Sequence, residues 1–169
     1  AAASFSSGTG TTAINGGAIT TSGTQNYNGA VTLGANATLS TTNNGSLNMA
    51  GTLNGARNLT INTNGTGDIT FSSALGGTTP LTGLTISTDS FNATSISLAS
   101  AAAFSITNTG ASAITGVIAG TNATLTKSGA GTLTLSGAST YSGATTISSG
   151  TLRFAPSSGF TMILSGNFI

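Results

Sequence analysis

The chain of 169 residues has no cysteine, no histidine and no tryptophan, two prolines, and only five charged side chains: Arg57, Lys127, Arg153, Asp68 and Asp89. Each absence closes off a class of chemistry. Without Cys or His there is no disulfide framework and no thiolate or imidazole metal site. Neither a Ser-His-Asp nor a Cys-His nucleophile can be assembled. Three cations make no nucleic-acid footprint and no polybasic membrane patch. No run approaches the roughly 20 apolar residues of a membrane-spanning helix, so this segment is expected not to insert into a membrane. The start, Ala1-Ala2-Ala3-Ser4-Phe5, lacks the basic and then apolar order of a signal peptide. A mature protein, or a piece of a larger one, is expected. The lack of Cys suits a secreted bacterial protein that stays unfolded until export, and equally follows by chance from so biased a composition.

What is present is small and polar. Gly, Ser, Thr, Ala and Asn number 25, 24, 34, 24 and 15. Leu, Ile, Val and Phe together number 35, close to the share below which chains become disordered. Disorder usually needs high net charge as well, and here the net charge is only +1. The apolar residues are dispersed and alternate with Thr, Ser or Asn. A thin, elongated core can use such a pattern where a compact globule cannot.

Strong helix formers are scarce and β-branched Thr is the commonest residue. Ala99 to Ala103 allows one helical turn, but Phe104-Ser105-Ile106-Thr107 resumes alternation. Period-two runs recur: Ala30 to Leu33, Ala37 to Ser40, Ser46 to Met49, Asn58 to Ile61, Asp68 to Phe71, Leu84 to Ser87, Ser95 to Leu98, Thr132 to Leu135 and Thr151 to Phe154. Each is bounded by Gly, Asn or Ser, as short strands between turns are. Antiparallel sandwiches and parallel solenoids both use many short strands. Asn-Gly, the hairpin signal, occurs at Asn15, Asn28, Asn44, Asn54 and Asn64, yet most intervals are irregular and the outer faces carry almost no charge. A solenoid needs neither hairpins nor charge, because each coil pairs with its neighbours.

Internal repetition points the same way. Ser22 to Leu33 aligns with Ser136 to Ile147 at six identical positions, including Tyr27 with Tyr141, the chain's two tyrosines, and Leu33 falls on Ile147. A coil of about 20–25 residues gives roughly seven or eight coils. At about 4.8 Å per coil the rod is roughly 35 Å long. The fold expected is all-β, a single parallel β-helix over residues 1–169 or a segment of a longer one, with 155–169 as an apolar cap or assembly segment.

Lys127-Ser128-Gly129-Ala130-Gly131-Thr132-Leu133-Thr134-Leu135-Ser136-Gly137, then Ser139-Thr140-Tyr141-Ser142-Gly143, Thr145-Thr146-Ile147 and Gly150-Thr151-Leu152, resembles the autotransporter-associated β-strand repeat. Gly17 to Phe71, notably Tyr27 to Leu33 and Gly51 to Gly55, resembles the repeats of filamentous-haemagglutinin-like adhesins. The resemblances imply a right-handed parallel β-helix, export to the bacterial surface, and an adhesive or stalk role. The repeat-motif core is then Tyr27, Leu33, Leu133, Leu135, Tyr141, Ile147 and Leu152. No catalytic, cofactor or metal residue is carried over.

The remaining candidates are few. Asp68 and Asp89 are the only carboxylates, and their spacing would stack them on neighbouring coils; a glycosidase pair needs that proximity, while two solvated turn aspartates need nothing. Asn64-Gly65-Thr66-Gly67-Asp68 is one copy of what would have to be a tandem calcium motif. Arg57, Lys127 and Arg153 are expected to be surface charges, Arg153 pointing outward between Leu152 and Phe154. Asn-x-Ser/Thr occurs at Asn36, Asn44, Asn58, Asn64, Asn92 and Asn122, as glycan acceptors or as corner residues forming ladders between coils. The Thr pairs 124/126, 132/134 and 107/109 invite an ice-binding reading, but hold no fixed period. Phe160, Met162, Ile163, Leu164, Phe168 and Ile169, with Phe154, make the C-terminal end apolar, either as a cap or as an edge for end-to-end assembly.

The function expected is a non-catalytic, extracellular or cell-surface element. Its partners are itself, through solenoid ends that build a fibre, or host and abiotic surfaces and glycans. No cofactor and no nucleic acid is implied.

Overall fold

The computed structural model describes residues 1–156 and 162–165. The chain winds coil by coil. The first coil is β1 (Phe5–Ser6), β2 (Thr12–Ile14) and β3 (Gly17–Thr21); the second β4 (Gln25–Tyr27), β5 (Val31–Leu33) and β6 (Ala37–Thr41); the third β7 (Leu47–Met49), β8 (Leu53–Asn54) and β9 (Asn58–Asn62). The fourth has β10 (Ile69–Phe71) and β11 (Leu81–Thr88), with Leu75 bridging between them. Next come β12 (Phe91–Ala93) and the long β13 (Ile96–Asn108), then β14 (Ala111–Ile114), β15 (Ile118–Ala119) and β16 (Thr124–Ser128), then β17 (Thr132–Leu135) and β18 (Thr145–Ile147). β19 (Thr151–Phe154) and β20 (Met162–Ser165) complete the series.

Three faces result. Face one is the nine-stranded sheet β1-β4-β7-β10-β12-β14-β17-β19-β20. Face two starts as β2-β5-β8 and continues through bridges at Leu75 and Ile96 to β15. Face three runs β18-β16-β13-β11-β9-β6-β3. Pairing between coils is parallel throughout, and β19 with β20 is the one antiparallel pair among the described residues. The stack is a β-solenoid of about seven turns, with no helix among the described residues. Most steps between register partners run from 19 residues, Thr12 to Val31, to 25, Asn58 to Gly83, because corners absorb the difference while strand registers hold; the exception is the 17-residue step from Leu81 to Leu98, where the register of β11 on β13 shifts.

Period two sets the packing. In β6, Ala37, Leu39 and Thr41 are buried while Thr38 and Ser40 face out. In-register stacking turns each inward position into a column. Leu39, Ile61, Ile86 and Ile106 line one column of face three. Tyr27, Met49, Phe71 and Ala93 line one of face one. Phe91 lies edge-on to both Phe71 and Phe104, at centroid distances of 6.0 and 6.2 Å. Each fully buried Leu, Ile or Phe contributes about 1.5–3 kcal/mol, but only once the next coil covers it.

Two expectations change here. The Ala99–Ala103 stretch is strand, not a helical turn: it lies within β13 where the chain passes from face two to face three. β11 pairs Leu81 with Leu98 but Gly83 with Ala103, and Ala101 adopts φ 58° to take up the extra residues. The internal alignment is also out of phase with the coils. Tyr27 is in β4 on face one, whereas Tyr141 lies in the connection between β17 and β18; Leu33 is on face two and Ile147 on face three. The shared composition of corners and strands produced that alignment, not an equivalent place in the coil.

Candidate functional surface

No pocket is found among the described residues, nor any cluster of His, Cys, Asp and Glu of metal-binding size. The candidate site is therefore a surface, and the outward positions of the three faces define it.

Strand registers align outward polar side chains on face three into two columns, one of hydroxyls alone and one of hydroxyls with a single amide, Asn62. The first is Thr38, Thr60, Thr85, Ser105, Thr126 and Thr146. The second, two residues further along each strand, is Thr20, Ser40, Asn62, Ser87, Thr107 and Ser128. Of the Thr pairs singled out from sequence, one member each of two pairs, Thr126 and Thr107, enters these columns, and no pair does as a whole. Thr124 and Thr126 are on face three, Thr132 and Thr134 are on face one, and Thr109 lies beyond the end of β13. The array was missed because coils of unequal length hide a period that the registers restore.

Face one differs. Its outward Asn48 bonds between coils, Nδ2 donating to Asn26 Oδ1 at 2.9 Å, and at the corner just before the face Ser90 Oγ donates to Asp68 Oδ1 at 2.6 Å. Asp89 Oδ1 accepts from Thr109 Oγ1 at 2.6 Å. Asp68 and Asp89 do sit on neighbouring coils, Ser90 being one coil on from Asp68, and each carboxylate is engaged by a hydroxyl of the coil that follows it.

Asparagines at corners cap backbone amides of the following coil. Asn36 Oδ1 accepts from Asn58 N–H at 3.0 Å, and Asn54 Oδ1 from Thr78 N–H at 2.9 Å. All six Asn-x-Ser/Thr asparagines are exposed.

Arg57 and Arg153 are exposed, but Lys127 is not a surface charge: it is fully buried in β16. Its Nζ donates to Ser128 O at 2.7 Å and Gly129 O at 2.9 Å, with Ser149 O at 3.4 Å. Burial pushes its amine below the ordinary 10.5. The alternation around Thr126 fixes this inward direction, and the amine's reach to corner carbonyls makes it tolerable.

Of the repeat-motif residues, Tyr27, Leu33, Leu133, Leu135, Ile147 and Leu152 lie in the core, and Tyr141 is half-buried against it. Tyr141 Oη lies 2.7 Å from Thr145 Oγ1. Of the C-terminal assembly candidates, Met162, Ile163 and Leu164 belong to β20, which pairs with β19 through Phe154↔Met162, Arg153↔Ile163 and Leu152↔Leu164. Phe160, Phe168 and Ile169 lie outside the described residues.

Residues 125–154, from β16 to the end of β19, match the family model of the passenger-associated-transport-repeat. No curated protein and no solved structure matches the chain. The repeat is the stretch in which the autotransporter-type motif was read, and repeat and solenoid together fit a bacterial surface protein.

Proposed function

We propose that the chain is a non-catalytic structural and adhesive segment of a bacterial surface solenoid, holding surfaces or glycans through uncharged, hydroxyl- and amide-rich outer faces. The observation that carries this reading is the parallel stack itself, in which each coil presents the same kind of polar outer position in register with the last. Such a rod is stiff along its length and spreads weak contacts over a long face. The non-catalytic part is supported by the lack of His and Cys, and by the engagement of both carboxylates in bonds between coils.

The test is retention of beads coated with the full chain on hydroxylated surfaces and immobilised glycans. Binding that persists as salt is raised is expected, since few charges are available to be screened. Retention no greater than that of a non-solenoid protein overturns the adhesive role. Glycan cleavage abolished by Asp68→Asn or Asp89→Asn overturns the non-catalytic one.

A second reading is end-to-end assembly into a fibre by strand addition. It is favoured by β18, an outermost strand of face three with one side free of a strand partner among the described residues, and by β3 at the other end, whose outer side carries only the single bridge Ala2↔Thr21. Against it, β20 already occupies the edge of β19 on face one. Electron microscopy separates the two: filaments support assembly, and monodisperse rods overturn it.

A further inference from the structure

The side chains of the two polar columns of face three, all hydroxyls but for Asn62, are uncommitted. Where hydrogen bonds touch Ser40 and Ser128, it is their backbone carbonyls that accept, from Gln25 and Lys127 inside the coil. On face one, by contrast, outward Asn48 bonds to Asn26 of the preceding coil. The outward residues of β6, β9, β11, β13 and β16 include no charged and no aromatic side chain. The face therefore offers nothing to an ionic polymer and no ring for a sugar to stack on. What it offers is a rigid lattice of hydroxyls and threonine methyls, interrupted in the second column by the Asn62 amide.

A single hydroxyl gains almost nothing by exchanging one water contact for another. Advantage accumulates only against a partner that is itself periodic and that the array matches in two directions, with the ordering cost already met by the stack. Neighbouring coils place equivalent hydroxyls about 4.8 Å apart, and alternate residues of one strand place them about 6.7 Å apart. These repeats lie close to the a and c axes of hexagonal ice. We propose that the outer surface of face three binds ice, with Thr38, Thr60, Thr85, Ser105, Thr126 and Thr146 as its principal column. The proposal goes beyond the surface-segment reading, which stands or falls on retention at ambient temperature.

The test is freezing-point hysteresis and ice-crystal shaping by the full chain. Measurable hysteresis and faceted crystals are expected. Thr85→Tyr, which places a bulky group in the middle of the array, should abolish both, while Asn48→Tyr on face one leaves them intact. Circular dichroism must show both variants folded; if Thr85→Tyr is not, Thr60→Ala with Thr126→Ala, which trims methyls and hydroxyls without added bulk, replaces it and should weaken both effects. No hysteresis in the unmodified chain overturns the proposal, as does equal loss on either face. Retention on cellulose or chitin without ice shaping reassigns the array to a crystalline polysaccharide and also overturns it.

Discussion

Lys127 is the register partner of Ile106, one coil below it, in a column otherwise built from Ile19, Leu39, Ile61, Ile86 and Ile147. Its stem replaces an isoleucine and its amine does a corner's work. In the preceding coils the turn from face three to face one is tied by a buried side chain bonding a glycine carbonyl: Thr21 to Gly23, Thr41 to Gly45, Thr63 to Gly67 and Asn108 to Gly110. The next position in that column falls on Gly129, which has no side chain to offer. The amine arrives there from two residues upstream.

Lys127→Met keeps the stem and deletes the donor. A loss of about 1–3 kcal/mol is expected from the unsatisfied carbonyls, read by urea denaturation at neutral pH. The pH dependence has a definite sign. Because burial lowers the native amine below 10.5, the unfolded chain binds the proton more tightly between that lowered value and 10.5, and stability rises with pH across the window. The methionine variant should lack this rise. An identical pH slope in both proteins contradicts the assignment.

Tyr27 gives the opposite slope. Its Oη donates to Gln25 Oε1 at 2.9 Å, while Gln25 Nε2 donates to Ile19 O and Ser40 O at 3.1 and 2.8 Å. Burial pushes the phenol up to about 12. Between 10 and 12 the unfolded chain has lost a proton the native state keeps, so stability falls as pH rises, by at most roughly 3 kcal/mol over the window. Tyr27→Phe should remove this fall and, by leaving Gln25 Oε1 without its donor, cost about 1–3 kcal/mol at pH 7. Phenolate absorbance followed with denaturation checks both.

The corner ties should be coupled where they touch. Thr63 Oγ1 lies 2.6 Å from Gly67 O and 2.8 Å from Thr88 Oγ1, and Thr88 Oγ1 lies 2.9 Å from the same carbonyl. Thr63→Val and Thr88→Val are each expected to destabilise by about 1–3 kcal/mol. The double variant should depart from their sum by about 0.5 kcal/mol or more. Strict additivity would mean that the two hydroxyls act independently.

The solenoid was legible because period-two alternation and Gly- or Asn-rich breaks are local, and strand identity follows from them. The column assignment was not, because it depends on corner lengths: the step from Asn58 to Gly83 is three residues longer than that from Leu47 to Ile69, and no local signal counts those residues. Lys127 was misread for a related reason. A charge beside Ser and Gly looks solvated, and only the inward phase of β16 together with a missing corner side chain gives its amine an interior role. The face-three array was hidden by the same unequal steps.

Gly51 tests how tightly the coils meet. Gly10, Gly29 and Gly51 stack at the corner after face one, where a Cβ on Gly29 would run into the carbonyls of Thr9 and Gly10, and one on Gly51 into the backbone of Gly29 and, at 2.6 Å, Ala30 N. Neither side can yield, since both are backbone held by neighbouring coils: Ala50 N–H donates to Tyr27 O and Val31 N–H to Thr52 O, just before and after the contact. Gly51→Ala should therefore behave as overpacking and cost about 1–3 kcal/mol. Gly10 has open space where its Cβ would be, so Gly10→Ala should be neutral or gain up to about 1 kcal/mol through the unfolded chain. Thermal denaturation of the two variants side by side decides it: equal melting temperatures would mean that the corner column has slack, and that glycine there serves the turn and not the close approach of successive coils.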